Sequence, residues 1–266
     1  MNQVLAGKAS VQTEMSRAYA VNMSAEADFA QVAGLIGEPA RAAVLMALID
    51  GRALAASTLA QEASVARSTI SGHLGRLTDG GLVSMEPSGR NRYYRLASAE
   101  VAEALETLAR LAPPAPIRSL RQATRAHALR RARSCYDHLA GRLGVALTDA
   151  LLERGDLVAE RASSDATDPI LGPGRAHAFH LTDDGAQRLA GLGVEVRPQG
   201  RRPLVRYCVD WSEQRPHLGG ALGAALLELL FERGWITRGN GRAILTTPDG
   251  EVALMEQFGV DIAELD

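Results

Sequence analysis

The chain of 266 residues contains only two cysteines, and aromatic residues make up only 4% of it. Two thiols cannot form the disulfide framework of a small secreted domain, and they are typical of a reducing compartment. No apolar run approaches the roughly 18 residues that a membrane-spanning helix needs, and no signal-peptide pattern is present at the N-terminus. We therefore expect a cytoplasmic protein with no membrane partner.

Neither sign of charge is in large excess, because the chain contains 29 Lys and Arg residues and 31 Asp and Glu residues. DNA binding stays compatible with this balance, since basic side chains can concentrate on one face. Walker, Rossmann, nucleophile-elbow and HExxH motifs are absent. Cys135 and His138 are too close in sequence to favour the geometry of a catalytic pair. We expect no enzymatic activity and no catalytic residues.

Residues 57–96 carry a helix-turn-helix pattern followed by a hairpin. The spacing predicts a short helix over 58–63, a tight turn, and a second helix over 67–78 that ends at a Gly-Gly pair. Three apolar residues fall on one face of the second helix and must pack inward: Ile70, Leu74 and Leu77. This order is typical of a DNA-binding helix-turn-helix.

The opposite face of the second helix is short, polar and basic, which suits a recognition helix in the major groove. Hydroxyl groups can reach base edges there, and arginine can hold guanine or phosphate. The predicted DNA contacts of this helix are Arg67, Ser68, Thr69, Ser71, Gly72, His73 and Arg76.

Two strand-like runs, 82–85 and 93–96, are joined by a polar turn over 87–91 and predict a β-wing. Basic residues at such a tip suit the phosphate backbone or the minor groove. The predicted DNA contacts of the wing are Ser88, Arg90, Asn91 and Arg92. Double-stranded operator DNA is therefore the expected partner.

The block 35–111 resembles the ArsR/SmtB family of bacterial winged helix-turn-helix transcriptional regulators. The resemblance is carried by IGEPARAAVLMALIDG, TLAQEASVARSTISGHL, DGGLV and GRNRYYRL. It implies a repressor that dimerises through its first helix and the helix after the wing. The positions where the metal sensors of that family carry Cys, Asp and His ligands hold no Cys or His here, except His73 in the DNA motif. The resemblance therefore implies no metal site at the family's usual places.

The helix after the wing, predicted over 98–112, carries an apolar stripe that we expect at a homodimer interface: Val101, Leu105, Leu108 and Leu111. We assign 1–22 to a flexible tail, 23–112 to the DNA-binding and dimerisation domain, and 113–117 to a proline-rich linker. A basic helical run follows the linker. Its charge pattern favours a solvated or salt-bridged face over extra phosphate contacts.

The segment 118–266 contains an internal repeat. The sequence CYDHLAGRLGVALTDALLERGDLV, from Cys135, matches HLGGALGAALLELLFERGWIT, from His217. Each copy continues into a strand pair and a second helix, as in the latter half of a winged helix. We predict a sensor or assembly domain of two winged-helix-like repeats, about 135–196 and 208–262, around a pseudo-twofold axis. The predicted fold class is mainly α with short β-wings (α+β).

Both repeats contain a Cys-x-Asp sequence with a histidine downstream. Two thiolates, two imidazoles and two carboxylates could bind a thiophilic divalent metal ion, and two thiols could form a redox switch. The candidate sensing residues are Cys135, Asp137, His138, Cys208, Asp210 and His217. The alternative is that the cysteines fill the core, the aspartates cap helices, and the histidines form hydrogen bonds across the repeat.

The sequence therefore predicts a homodimeric repressor whose DNA affinity is modulated by an effector in the C-terminal domain. A second possible effector is an organic ligand in a pocket between the repeats. The aromatic residues that would line the pocket, or fill the core instead, are Tyr136, Phe179, Trp211, Phe231 and Trp235. A third possibility is a nucleoid-type DNA binder without an effector.

Overall fold

The computed structural model of the chain describes residues 27–89, 91–113, 116–161, 176–196 and 202–265. The predicted tail 1–22 lies outside these ranges, as does part of the predicted linker. Within them, no helix combines the length and the apolar character needed to cross a membrane.

The N-terminal part is a winged helix-turn-helix. Its elements are α1 (Phe29–Ile36), α2 (Pro39–Leu48), β1 (Leu54–Ala55), α3 (Ala56–Glu62), α4 (Arg67–Asp79), β2 (Val83–Ser88), β3 (Asn91–Leu96) and α5 (Ala99–Leu111). The three strands form one antiparallel sheet in the order β1-β3-β2. The predicted inward face of α4 is confirmed, because Ile70, Leu74 and Leu77 are all buried in the core of this part.

The wing is longer than predicted, and its turn is shorter. β2 continues through Pro87 to Ser88, which pairs with Asn91, so only two residues connect the strands. Pro87 fits because β2 is an edge strand of the sheet, where a missing backbone N–H is tolerated. Gly89 adopts a φ of +60° in the loop, as a two-residue hairpin connection favours.

The helix after the wing, α5, begins one residue after the predicted start, with Ser98 as its N-cap. The Ser98 hydroxyl accepts a hydrogen bond from the Val101 N–H and caps the helix. Leu105 packs inside the core of this same part, whereas Leu108 and Leu111 are 42% and 76% exposed. The predicted stripe therefore divides between an internal side and an exposed side.

After α6 (Leu120–Arg131), the same order of elements occurs twice. The first series is β4 (Arg133–Cys135), β5 (His138–Ala140), α7 (Gly141–Glu153), β6 (Leu157–Arg161), β7 (Ala176–Leu181) and α8 (Asp183–Gly191). The second is β8 (Arg206–Val209), β9 (Pro216–Gly219), α9 (Gly220–Glu232), β10 (Ile236–Arg238), β11 (Ile244–Thr246) and α10 (Pro248–Phe258), with a short 3-10 helix Ile262–Leu265 at the end. Each pair of strands is an antiparallel hairpin.

One core joins the two series, and leucines of α7 and α9 form much of it: Leu143, Leu147, Leu151, Leu222, Leu226 and Leu230. Glycine is required at the start of both helices. A Cβ at Gly144 would come within 2.5 Å of the Leu139 carbonyl oxygen, and the equivalent Gly223 lies equally tightly against the Leu218 carbonyl. The glycines therefore let each helix pack directly on the strand that precedes it.

Candidate DNA interface and candidate metal centre

The recognition helix α4 presents its predicted contact residues to solvent. Six of the seven are exposed: Arg67, Ser68, Thr69, Ser71, Gly72 and Arg76. His73 differs, because it is half-buried and its Nδ1 lies 3.2 Å from Glu38 Oε2. Glu38 also caps α2, and the hydrogen bond from the Arg41 N–H is the main reason that the pKa of Glu38 is lowered. His73 thus attaches α4 to α2.

The wing tip is polar and exposed at Ser88, Asn91 and Arg92. Arg90, the fourth predicted contact, lies outside the described residues. Arg95 on β3 donates a 2.8 Å hydrogen bond to Glu86 on β2, so one wing arginine neutralises an acidic neighbour within the hairpin. Arg92 has no such ion pair with another described residue.

Two cross-strand pairs bring both cysteines together with two histidines. Cys135 pairs with His138 across β4 and β5, and Cys208 pairs with His217 across β8 and β9. The two Sγ atoms are 3.9 Å apart, and the two imidazole rings stack with centroids 5.1 Å apart. One ligand atom from each of the four residues lies within 4.8 Å of the other three. Each series of elements therefore contributes one thiol and one imidazole.

The cluster is buried and incompletely hydrogen-bonded. Cys135 is 3% exposed, both histidines are buried, and Cys208 is half-buried. His138 Nε2 and both ring nitrogens of His217 have no hydrogen-bond partner among the described residues. Leaving a buried polar group unpaired costs about 1–3 kcal/mol. A metal ion bound by His138 Nε2 and by one ring nitrogen of His217 would remove this cost at two of the three nitrogens.

The electrostatics of the cluster favour the protonated form of the Cys135 thiol. The Cys208 contact and burial raise the pKa of Cys135 well above its usual range. Burial lowers the pKa of His138, but Cys135 and Asp137 raise it by more. A metal ion binds thiolate and neutral imidazole, so metal binding at this cluster would release protons.

The two predicted aspartates lie outside the group of four. Asp137 accepts a 2.8 Å hydrogen bond from Arg202, and its Oδ1 lies 3.4 Å from His138 Nδ1. Burial raises the pKa of Asp137, but His138 and Arg202 lower it by more. A carboxylate on the far nitrogen of a ligating histidine orients the imidazole ring. Asp137 is therefore placed to position His138.

Asp210 is fully buried and holds the two series together. Its Oδ2 accepts hydrogen bonds from Arg133 Nη2 at 2.8 Å and from the Gly141 N–H at 2.7 Å, and its Oδ1 accepts from the Ser212 N–H at 2.8 Å. Burial raises the pKa of Asp210, but Arg133 and these donors lower it by more. The carboxylate is fully occupied, so it cannot also bind a metal ion. The sequence did not reveal its partner, because Arg133 sits within an arginine-rich run.

The strands that carry the cluster contact the DNA-binding part at α5. Arg206, two residues before Cys208, forms an ion pair with Glu103. The Ser134 N–H, next to Cys135, donates a 3.0 Å hydrogen bond to the Arg242 carbonyl. The Arg242 guanidinium donates to Glu106 at 2.9 Å, and both side chains are only 7% exposed. Each cysteine strand is therefore linked to α5 through one arginine–glutamate pair.

A third contact comes from Tyr136, which stands between Cys135 and His138. Its backbone has a φ of +56°, and its side chain packs against the core of the DNA-binding part beside Gly51. A further link joins the two parts at the end of α2. The side chain of Arg52 is paired with Asp50 and donates a 2.6 Å hydrogen bond to the Gly241 carbonyl.

A cavity of about 650 Å³ lies between α5 and the cluster. Its walls include Cys135, His138 and Cys208, but not His217. Of the aromatic residues predicted to line a pocket between the repeats, only Tyr136 lines it. Three others have separate partners: Phe179 packs on Tyr207, Trp211 lies under Arg133, and Phe231 lies under Arg238.

The chain was compared with domain families, with known sequences and with solved structures. A helix-turn-helix domain family matches residues 36–86. Over most of its length the chain is similar to the "Uncharacterized HTH-type transcriptional regulator YdfF" of Bacillus subtilis (strain 168). The two are 37% identical over 238 residues, which cover 88% of this chain and 99% of that protein.

Solved structures resemble about a third of the chain. HlyU from Vibrio cholerae N16961 is 28% identical, covers 31% of this chain and 88% of its own, and gives a TM-score of 0.29. The cadmium metal-sensor CMTR from Mycobacterium tuberculosis is 30% identical, covers 35% of this chain and 99% of its own, and gives a TM-score of 0.28.

Proposed function

The chain belongs to the helix-turn-helix (HTH-type) transcriptional regulators, and on that premise we propose that it is a homodimeric repressor controlled by a metal ion. DNA-binding transcriptional regulation is the function of the family, and such proteins are normally not enzymes. The proposal adds three elements: the dimer, the repressor role, and a metal ion held by Cys135, His138, Cys208 and His217. Operator DNA would be the partner, and the cytoplasm the place of action.

The DNA contacts in this proposal are the exposed residues of α4 and the wing. Arg67 and Arg76 lie toward opposite ends of α4, and neither forms an ion pair with another described residue. Unpaired arginines on a helix with small neighbours favour contact with phosphate and guanine. His73 contributes by holding α4 against Glu38 rather than by reaching a base.

The homodimer is supported by exposed apolar side chains on two helices. Leu108 and Leu111 of α5 are exposed, and so are Phe29 and Val32 of α1. Exposed apolar patches of this kind mark association surfaces. Leu105 would stabilise the helix from inside instead of touching the partner. Pairing two chains would give two recognition helices that read two half-sites of an operator.

The single observation that carries the metal proposal is the convergence of four ligand atoms within 4.8 Å. A tetrahedral zinc site, with bonds of about 2.3 Å to sulfur and about 2.0 Å to nitrogen, has ligand–ligand edges of roughly 3.3 to 3.8 Å. The Sγ–Sγ distance of 3.9 Å is already close to that range. Two thiols and two imidazoles favour zinc or another thiophilic divalent ion such as cadmium.

The contacts at α5 supply a route from the metal to the DNA-binding part. Binding would draw the four ligand atoms together and shift the two cysteine strands. Arg206 and Arg242 would pass that shift to Glu103 and Glu106 on α5. Since α5 also carries the proposed dimer surface, the spacing of the two recognition helices would change. A hundredfold change in DNA affinity needs only about 2.7 kcal/mol of coupling.

The proposal is tested by fluorescence anisotropy with DNA from upstream of the chain's own gene, compared with a scrambled duplex. We expect specific binding that weakens at least tenfold when zinc is added. A Cys135→Ser/Cys208→Ser protein should bind the DNA equally well and not respond. A retained zinc response in that variant would refute the site. Equal affinity for both duplexes would instead favour the nucleoid-type binder.

Metal binding itself is measured separately by titration with Co²⁺. We expect one ion per chain and the intense near-ultraviolet bands of cobalt–thiolate bonds. His217→Ala should weaken Co²⁺ binding, while His180→Ala serves as the control. His180 is exposed and pairs with Glu160, outside the group of four. Wild-type Co²⁺ affinity in His217→Ala would count against the proposed ligand set.

A further inference from the structure

The cavity between α5 and the cluster has thiols in its wall. Cys208 is half-buried and Cys135 is nearly inaccessible, although both line the cavity. A molecule in the cavity therefore has better access to Cys208. The Cys135 sulfur stands 3.9 Å from the Cys208 sulfur and is within reach of any bond formed there.

The walls of the cavity carry both signs of charge. Glu103 pairs with Arg206 and Asp137 pairs with Arg202. Glu100 and Arg110 line it near the two ends of α5, about 15 Å apart along the helix. The Glu100 carboxylate and the Arg110 guanidinium form no ion pair with another described residue, and together they match a ligand that bears both ammonium and carboxylate groups. The volume of about 650 Å³ suits a small organic molecule.

We propose that this cavity binds the disulfide of a low-molecular-weight, cysteine-based thiol, which oxidises Cys208 first and Cys135 second. The ligand class combines the two properties of the cavity: a thiol in its wall and charges of both signs around it. This goes beyond the proposed metal site, and the reaction itself does not require a metal.

The reaction balances in two exchanges. The Cys208 sulfur attacks one sulfur of the ligand, the disulfide bond of the ligand breaks, and one thiol leaves with the Cys208 proton. The Cys135 sulfur then attacks the Cys208 sulfur, the mixed disulfide breaks, and the second thiol leaves with the Cys135 proton. The two protein thiols lose two electrons in total, and the ligand is reduced to two thiols.

The consequence for regulation rests on the proposed function. A Cys135–Cys208 disulfide removes both sulfur ligands and leaves only His138 and His217. Two imidazoles do not make a four-coordinate zinc site. Metal binding and oxidation would therefore exclude each other, and an oxidising environment would act on DNA binding through the same four residues as the metal.

The order of attack is tested with reduced, metal-free protein and glutathione disulfide, followed by acid quenching and mass spectrometry. The wild type should form an internal disulfide and release two glutathiones per chain. Cys135→Ser should stop at one glutathione adduct on Cys208. Cys208→Ser should react at least tenfold more slowly when folded and at an ordinary rate in denaturant. An adduct on Cys135 of folded Cys208→Ser, formed as fast as the wild type reacts, would overturn the order.

The cavity is tested by filling it. Thr107→Trp, on the α5 wall, should slow the reaction with glutathione disulfide at least tenfold without slowing the reaction with hydrogen peroxide. Ala190→Trp, on an exposed position of α8, is the matched control and should change neither rate. Ala99→Trp, at the other end of the same wall, replaces Thr107→Trp if circular dichroism indicates that the first variant is unfolded.

Two results separate the two proposals. An unchanged reaction with glutathione disulfide in both wall variants would overturn the ligand site, whatever the Co²⁺ titration gives. Failure to bind Co²⁺, with the predicted order of thiol exchange intact, would instead remove the metal proposal and leave the oxidation site standing.

Discussion

Asp210→Asn should strongly destabilise the C-terminal part of the chain. Asp210 and Arg133 are both completely buried, and Arg133 Nη2 lies 2.8 Å from Asp210 Oδ2. The same carboxylate also accepts backbone hydrogen bonds from Gly141 and Ser212. Asparagine keeps the shape and one oxygen, but it removes the negative charge and turns the other acceptor into a donor.

The expected loss in free energy of unfolding follows from two effects. Removing one partner of a buried ion pair costs about 3–5 kcal/mol, because the other charge stays buried without compensation. An amide N–H₂ facing backbone donors adds about 1–3 kcal/mol. The two effects add to about 4–8 kcal/mol, and since asparagine keeps one acceptor oxygen we expect the lower end, about 4–5 kcal/mol. That is a large fraction of the roughly 5–15 kcal/mol that stabilises a typical domain.

Tryptophan fluorescence during a urea titration measures the free energy of unfolding of the C-terminal part. The chain contains two tryptophans, Trp211 and Trp235, and both belong to the C-terminal part. The Trp211 ring lies 4.5 Å from the Arg133 guanidinium. Glu256→Gln, an exposed change on α10, is the control and should leave the free energy of unfolding within about 0.5 kcal/mol of wild type.

A double variant separates the charge from the shape. Arg133→Met combined with Asp210→Asn removes both charges, so it should lose less stability than Asp210→Asn alone. An Asp210→Asn protein within about 1 kcal/mol of wild type would refute the reasoning. It would mean that water or a rearrangement compensates Arg133, and that the buried pair does not hold the two series together.

Three further predictions concern the DNA, the dimer and the coupling. Arg76→Ala should weaken operator binding roughly 10- to 100-fold in an anisotropy assay, as the loss of about 1–3 kcal/mol from an arginine contact implies. Wild-type affinity would remove α4 from the interface. Leu111→Asp should shift the chain from dimer to monomer in sedimentation without unfolding it, whereas Leu105→Asp should unfold the N-terminal part; a dimeric Leu111→Asp protein would move the interface elsewhere. Glu106→Gln should keep the Co²⁺ affinity and lose most of the zinc effect on DNA binding, and a full zinc response would exclude the Arg242–Glu106 pair as the route.

The winged helix-turn-helix could be predicted largely from local sequence. Ile70, Leu74 and Leu77 define one face of α4, and a Gly-Gly pair ends the helix, so the element follows from periodicity alone. The sequence predicts a wing turn that is too long, because Pro and Ser are typical turn residues, whereas Pro87 and Ser88 lie on β2. Their position on an edge strand depends on the order of strands in the sheet, which local sequence does not contain.

The cluster could be predicted in part, because the repeat directed attention to equivalent cysteines and histidines. The register of the two hairpins decides that four residues meet: Cys135, His138, Cys208 and His217. Their spacing along the sequence suggests this register but does not determine it. The sequence also groups Asp137 and Asp210 with the ligands, because no local pattern identifies their arginine partners, which lie 65 and 77 positions away. The Arg242–Glu106 pair joins residues 136 positions apart, and no periodic pattern identifies such a contact.

The division of the cluster between two hairpins has a consequence for how the site assembles. One hairpin alone offers a single thiol and a single imidazole, which is half of a tetrahedral shell. If the halves were on separate molecules, occupancy of the full site would depend on their concentration. Joined in one chain, each half meets the other at an effective concentration of about millimolar or above. Completion of the shell is therefore independent of how many copies the cell makes.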